Sequence, residues 1–475
     1  MLPKPERVFA RDFEWRHLAA FAERAGTRTQ LGVISGRRRQ GKTFLLEALA
    51  RQVGGFFFGA TEATEVESLR LLSQALADYT QADVPVRFAD WNEAIRHLLA
   101  ISAEKAAPIV IDEFPYLSNV SPALTSIIQR EIDRAVSREI PASLLLCGSA
   151  MSVMGGLLSG NAPLRGRASL ELVVRPFDYR LAAQYWRLDD PRLAVLVHAV
   201  VGGTPAYLRF VNDERPTCLD DFDDWVQRTV LDPGTPLFRE ARYLMEEEAN
   251  VRDTALYHSV LAAVANGNAT RGGIASYIGR KATDIGHPLN VLEDRCLLRR
   301  EIDAFRPGRS VYRVCEPLVS FYQVVMRPRW ALLESGRAAA VWQDARTRFN
   351  GQVVGPHFED MCREFARTES LFGELPGEVA AGVIADTARR SQIEVDVVVF
   401  AATEPGRPRR ILSLGEVKWG TRMDQGHADR LARARDLLSS KYDVRDTVLS
   451  LYGGADFDQG IRGARTFDLH ELYSA

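Results

Sequence analysis

Cysteine is scarce and unpaired in this chain of 475 residues: Cys147, Cys218, Cys296, Cys315 and Cys362 are dispersed, with no CxxC spacing. An odd, scattered set excludes a disulfide framework and a cysteine-built zinc site, and fits a reducing, cytoplasmic setting. Long apolar runs are also missing. The most apolar stretch, "SLLLCGSAMSVMGGLL", is broken by Gly and Ser and is too short to span a bilayer, and the opening "MLPKPERVFARDFEW" has no apolar signal-type segment. No membrane partner is expected. Neither sign of charge dominates, since 60 Lys plus Arg face 62 Asp plus Glu for a formal net charge of −2. A nucleic-acid surface would therefore have to arise from local segregation of charge. With 46% hydrophobic and 26% charged residues, the composition excludes general disorder, and the length exceeds what one core usually holds.

What is present begins with "GRRRQGKT" at 36–43, which reads either as a basic patch or as a nucleotide loop. The neighbours decide: "LGVIS" precedes it as a buried strand, and "FLLEALARQV" follows with helical apolar spacing. In GxxxxGK[ST] the glycines Gly36 and Gly41 let backbone N–H groups wrap a phosphate at a helix N-terminus. Lys42 would reach the β and γ phosphates of ATP and Thr43 would ligate magnesium. Arg37, Arg38, Arg39 and Gln40 fill the variable positions.

Such a loop needs an acidic strand end, and "APIVIDEFPYL" supplies it. Asp112 would hold magnesium through water and Glu113 would polarise the attacking water. The plainer alternative is two solvated acids in a turn. A further buried strand, "SLLLCGS", ends at Ser149.

The runs "FARDFEWRHLAAF", "GRRRQGKT", "VIDEFPYL", "LLLCGSAMSVM", "PLRGR", "RPFDYRLAAQYW" and "VVGGTPAYL" together resemble the archaeal-type ATPase family, related to STAND and AAA+ proteins. The resemblance covers most of residues 5–215. It implies a sensor role toward the γ-phosphate for Ser149, places Gly203-Thr204-Pro205 near the adenine, and sets Arg165 or Arg167 where a phosphate-sensing arginine sits. A surface salt bridge is the alternative for those arginines.

Between 250 and 315 the pattern becomes short helices closed by "AFRPGRSVYRV" and reads as a winged helix-turn-helix. Asn266-Gly267-Asn268 would end the first helix and Thr270 cap the second. Asp284–Asp294 would be the recognition helix, followed by a wing turning at Pro307-Gly308. Arg280, Lys281, Arg299, Arg300, Arg306 and Arg309 are the residues a DNA-facing reading would use. A packing module or lid is the alternative.

Near the C-terminus "QIEVDVVVF" and "RRILSLGEVKWG" read as a hairpin centred near Gly406, placing Asp396 opposite Glu416, with Lys418 on the same face as Glu416. Facing carboxylates repel unless a cation lies between them, which favours magnesium or manganese, and Lys418 would stabilise charge on a reacting phosphate. With the helix "GPHFEDMCREFA", whose Glu359 is a further acid, this D…ExK pattern resembles the PD-(D/E)xK nuclease superfamily. A proline before Asp396 is absent. The archaeal-type ATPases commonly carry such a domain, so the resemblance extends over nearly the whole chain.

The expected fold is α/β: a P-loop ATPase core at 1–175, a helical lid at 176–245, a winged helix-turn-helix at 246–330 and a PD-(D/E)xK nuclease-like domain at 331–475. The function expected is an ATP-hydrolysing protein with a metal-dependent nuclease domain acting on DNA under nucleotide control. A STAND-like switch or DNA-binding regulator with an inactive nuclease-like domain is the alternative, and a nucleotide-dependent scaffold ranks third. Assembly into a homo-oligomer is left open.

Overall fold

The structure, a computed structural model, describes residues 2–248, 254–367 and 371–474. The chain divides into two compact units, Met1–Pro176 and Phe177–Ala475.

In the first unit five parallel strands run β1 (Gln30–Ser35), β2 (Phe56–Gly59), β3 (Ile109–Asp112), β4 (Ser143–Gly148) and β5 (Ala168–Val173), in the order β2-β3-β4-β1-β5. Their side chains alternate between two apolar cores. Leu31, Val33, Ile109, Ile111, Leu144 and Leu146 face one, while Ile34, Val110, Leu145 and Cys147 face the other. Both faces are covered by helices, so the strands read as unbroken apolar runs rather than alternating ones. Helix α1 (Asp12–Glu23) and helix α2 (Lys42–Val53) supply Leu18, Phe21, Leu45 and Leu49 to the second core. In this architecture the loops at the carboxyl ends of the strands collect on one edge, where ligands bind in open α/β sheets.

In the second unit a five-stranded mixed sheet is ordered β12-β11-β10-β9-β8: β8 (Pro376–Asp386), β9 (Ser391–Ala401), β10 (Ile411–Lys418), β11 (Val448–Gly453) and β12 (Arg465–Phe467). β8, β9 and β10 are antiparallel neighbours, and β10, β11 and β12 are parallel, with the helix Gln425–Leu438 forming the crossover from β10 to β11. Ahead of it lie the helices Thr254–Ala265, Arg271–Tyr277 and Gly286–Asp294 and the hairpin β6 (Leu298–Asp303) with β7 (Arg306–Val314). Thr270 caps the middle helix, its hydroxyl accepting from Gly273 N at 3.1 Å.

Three expectations change. The hairpin turns at Ala304-Phe305, not at Pro307-Gly308. Asp303 Oδ1 accepts from the N–H groups of Phe305 (3.0 Å) and Arg306 (3.1 Å), and this side-chain turn closes the hairpin before the Pro-Gly pair is reached. The third helix begins at Gly286 rather than Asp284. From Phe177 on, the three expected segments 176–245, 246–330 and 331–475 share one unit, and one apolar cluster runs through them, from Tyr179 through Leu261 and Trp342 to Leu472. The boundary expected after residue 245 falls inside the helix Pro236–Glu248.

Candidate functional site

The loop between β1 and α2 is shaped by its glycines. A Cβ on Gly36 would lie 2.3 Å from Val174 O, and Gly41, at φ +86, forms the left-handed N-cap of α2. Only glycine meets both demands without strain. Lys42 is buried, and its ammonium donates to Gly36 O at 2.7 Å and Arg37 O at 2.8 Å, so the lysine spans the arch it belongs to. Burial lowers its pKa, with Cys147, Glu113 and Asp112 partly offsetting the effect.

Thr43 Oγ1 donates to Asp112 Oδ2 at 2.6 Å, and Asp112 Oδ1 accepts from Glu113 N at 2.9 Å. Glu113 sits in the left-handed region at φ 50, and Ser149 donates to its two carboxylate oxygens at 3.0 and 3.3 Å. Hydroxyl and carboxylate oxygens, an ammonium and the α2 N-terminus thus converge on one edge of the sheet. This donor set fits a magnesium ion carried by a phosphate chain.

Arg38 reaches Tyr116 Oη at 3.1 Å, Arg39 adopts φ 67, and Gln40 is buried. Arg37 lies in the same arch, its carbonyl accepting from Lys42. Arg167 makes a bidentate ion pair with Asp133 (2.7 and 2.8 Å), and Arg165 donates to Gly160 O at 2.7 Å. Thr204 is buried, and Gly203 O accepts from Phe177 N at 2.8 Å; Pro205, in the second unit, caps the short helix Ala206–Phe210. A residue that motif reading missed is Arg11. It donates to Gln40 O (3.0 Å) and Arg175 O (2.6 Å) and pairs with Glu14, tying the start of the chain to the arch. No local pattern marks it, because its partners are 29 and 164 residues away.

In the second unit the last paired residues of β9 and β10 are Val397 and Gly415, after a register shift between Ile411 and Ser413. One step further in the same register places Asp396 beside Glu416, and Val417 N–H donates to Asp396 Oδ2 at 2.8 Å. Lys418 Nζ lies 3.1 Å from Glu416 Oε1. Burial raises the pKa of Asp396, against the pull of the Val417 N–H and Lys418, and Glu394 and Glu416 push in the same direction as burial. Glu359, on the helix Gly355–Phe365, is also held high, by burial first and by Asp396, against Arg313. A cavity of about 590 Å³ opens here, with Glu359, Lys418, Trp419 and Arg192 in its wall.

The cations around these acids are what sequence reading did not supply. Arg430, on the crossover helix, donates Nε to Glu416 Oε2 at 2.9 Å, and its Nη2 pairs with Oε1. Arg313 on β7 holds Glu359 at 3.2 Å. Arg363, almost fully buried, donates Nη1 to Asp396 O at 2.9 Å, lies 3.8 Å from Glu359 and pairs with Asp360. Among the described residues no group of three or more His, Cys, Asp or Glu side chains is arranged to hold a metal ion. As arranged, the carboxylates here do not fit a divalent ion: Arg430 and Lys418 occupy Glu416, Arg313 holds Glu359, and Asp396 Oδ2 accepts from the Val417 N–H.

Among the arginines of the β6–β7 hairpin, Arg299 is drawn inward onto Glu301 (2.7 Å) and Asp360, Arg300 donates to Ser310 Oγ at 2.9 Å, and Arg309 lies 3.9 Å from Asp303. Arg306 begins β7. Arg280 and Lys281 are exposed.

No family model matches the chain. A relative from Methanocaldococcus jannaschii, the uncharacterized protein MJECL04, is 25% identical over 348 residues, 72% of this chain and 74% of that one. The Walker-type ATPase PABY2304 of Pyrococcus abyssi superposes with a TM-score of 0.52 at 20% identity, over 67% of this chain and 97% of that one. This chain shares the fold of a Walker-type ATPase. The ORC2 protein of Aeropyrum pernix aligns with a TM-score of 0.47 at 14% identity, over 73% of this chain and 97% of that one. No helix among the described residues is long and apolar enough to cross a membrane.

Proposed function

We propose that this chain binds and hydrolyses ATP with magnesium in its N-terminal unit and uses that cycle on DNA. The observation that carries the reading is the 2.6 Å contact of Thr43 with Asp112 at the mouth of an arch spanned by Lys42, with Glu113 and Ser149 beside it. Lys42 would leave the Gly36 and Arg37 carbonyls for the β and γ phosphates. The α2 N-terminus would donate its free N–H groups to the same anion. Thr43 and Asp112 would hold magnesium, which when bound neutralises phosphate charge. Glu113 would orient water for attack, and the Ser149 hydroxyl keeps that carboxylate aimed. Lys42→Ala should abolish nucleotide binding. Glu113→Gln should keep binding and slow turnover by on the order of a hundredfold or more. Normal turnover in the Glu113 variant would refute its assignment.

DNA contact is supported by the exposed Arg280 and Lys281 between the second and third helices of a helix-helix-helix-hairpin order suited to a winged helix. For the C-terminal unit, the juxtaposition of Asp396, Glu416 and Lys418 supports a nuclease-type domain of PD-(D/E)xK kind. A specific observation favours the second reading, a STAND-like nucleotide switch that binds DNA without cutting: Arg430 and Lys418 already balance Glu416. Incubating the protein with linear and circular DNA, magnesium or manganese, and ATP separates the two. Cleavage lost in Asp396→Ala and Glu416→Ala supports the nuclease, and no cleavage under any combination supports the switch.

A further inference from the structure

Arg192 carries a charge that the protein does not balance. The arginines around the Asp396–Glu416 pair each hold a carboxylate: Arg430 on Glu416, Arg313 on Glu359 and Arg363 on Asp360. Arg192, half-buried at the start of the helix Pro191–Val201, instead donates Nη1 to Gly454 O and lays its guanidinium on the Trp419 ring, 4.8 Å from the centroid. Among the described residues no carboxylate lies within ion-pair range of it. Trp419 is itself buried and packed edge to face against Phe358, so the platform under the guanidinium is fixed. A guanidinium held by a ring face and one carbonyl keeps most of its N–H groups for another partner.

The cavity of about 590 Å³ in whose wall Arg192 lies also presents Lys418, Asn350 and the glycines Gly351 and Gly420. Lys418 has one carboxylate partner, Glu416, and its side chain is 35% exposed, so two of its three donors remain. Glu359, the acid in that wall, is offset by Arg313, and burial raises its pKa. The opening is therefore a concave surface with two cations able to donate and its acid already paired, an arrangement that attracts an anion. A second cavity of about 630 Å³ contains four arginines, but they are committed: Arg407 to Glu404, Arg409 to Glu378, Arg410 to Glu374 and Arg445 to Asp443. We propose that the Arg192–Lys418 cavity binds a phosphate monoester directly, with no metal ion between. A guanidinium fork and an ammonium together match a doubly charged phosphate better than the single charge of a phosphodiester within a strand. Such binding requires no cleavage, and so goes beyond both readings above. The terminal phosphate of a nucleic-acid strand and a small phosphorylated compound offer the same chemistry.

The test is equilibrium dialysis of the full-length protein against radiolabelled inorganic phosphate in the presence of EDTA. Every protein carries Lys42→Ala, so that the loop before α2 contributes little. Arg192→Gln and Lys418→Gln should each weaken binding on the order of tenfold or more, the worth of one charge-assisted hydrogen bond. Arg407→Gln, which removes an exposed charge from the same unit, should leave it unchanged. Because Arg192 packs on Trp419, its variant is checked by thermal unfolding, and Lys418→Gln decides the matter if that check fails. Displacement of the phosphate by a 5′-phosphorylated oligonucleotide but not by its 5′-hydroxyl form supports the proposal and assigns the cavity to strand ends. Displacement by ribose 5-phosphate and by neither oligonucleotide supports it and assigns the cavity to a small compound. Equal displacement by the two oligonucleotides overturns the monoester assignment, and phosphate binding that is absent, or unchanged in Arg192→Gln and Lys418→Gln, overturns the site.

Discussion

Lys42, Arg363 and His357 show three ways in which an ionisable side chain is kept below the surface. Lys42 spends its protons on the carbonyls of its own loop. Arg363 instead joins carboxylates, pairing with Asp360 and lying near Glu359 while donating to the Asp396 carbonyl. With Arg299 and Arg313 it overcomes the cost of burying Asp360, whose pKa is held well below the ordinary value. Replacing Arg363 by Met leaves two acids short of a buried partner, and denaturant unfolding should show a loss of about 3–5 kcal/mol. His357 is kept neutral. Its ring lies 2.8 Å from His198 Nδ1, and burial, reinforced by Arg299 against Asp360, lowers its pKa to about 4. The unfolded chain binds a proton near pH 6.5 and the folded chain does not, so this contribution is present above pH 6.5 and is lost as pH falls toward 4. It amounts to up to about 3 kcal/mol. His198, also lowered by burial and by His357, acts in the same sense, while the raised Glu359 and Asp396 act in the opposite one. His357→Gln should flatten the fall of the unfolding midpoint between pH 7 and pH 4.5; an unchanged profile would exclude His357 as its source.

At the scale of elements, the β6–β7 hairpin is a packing surface on one side. Ala304 N donates to Ala381 O at 2.9 Å, and Arg299 and Arg313 point into the carboxylates of the helix Gly355–Phe365. Two roles expected of the same basic residues therefore separate. If DNA lies against the turn between the second and third helices, Arg280→Ala with Lys281→Ala should reduce the slope of log affinity against log salt by about 1.8, roughly 0.9 for each phosphate no longer neutralised. Arg299→Ala should leave that slope alone and lower stability instead. A salt slope insensitive to Arg280 and Lys281 would move any DNA contact elsewhere.

At the scale of the whole molecule, each unit closes its own core, and each candidate site is built from residues of one unit. The chemistry at the two should be separable by mutation. ATP turnover in Asp396→Ala, Glu416→Ala and Lys418→Ala should match wild type within about twofold, the change expected when a substitution touches no group that acts in the transition state. A large drop in any of them, in protein that unfolds at the normal temperature, would show that the C-terminal carboxylates act on the ATPase itself.

The glycine-rich loop before α2, the acidic strand end and the two strands carrying Asp396 and Glu416 were legible as local structure. Glycine spacing, an apolar run ending in Asp-Glu, and period-two alternation are set by backbone geometry within a dozen residues. The D…ExK register needed only the assumption of a hairpin, and it placed Asp396 at the level of Glu416 despite the shift near Leu412. What the tertiary structure alone decided was the charge balance. Arg313 meets Glu359 across 46 residues and Arg11 meets Arg175 O across 164. Arg430 turns onto Glu416 only because the crossover helix lies against β10. The hairpin turn expected at Pro307-Gly308 falls at Ala304-Phe305 because a single Asp303 carboxylate captured two N–H groups ahead of the Pro-Gly pair. Periodicity tells which face of an element is buried, but an ion pair depends on where the ends of two long side chains arrive, and that is set by packing between elements that the sequence keeps far apart.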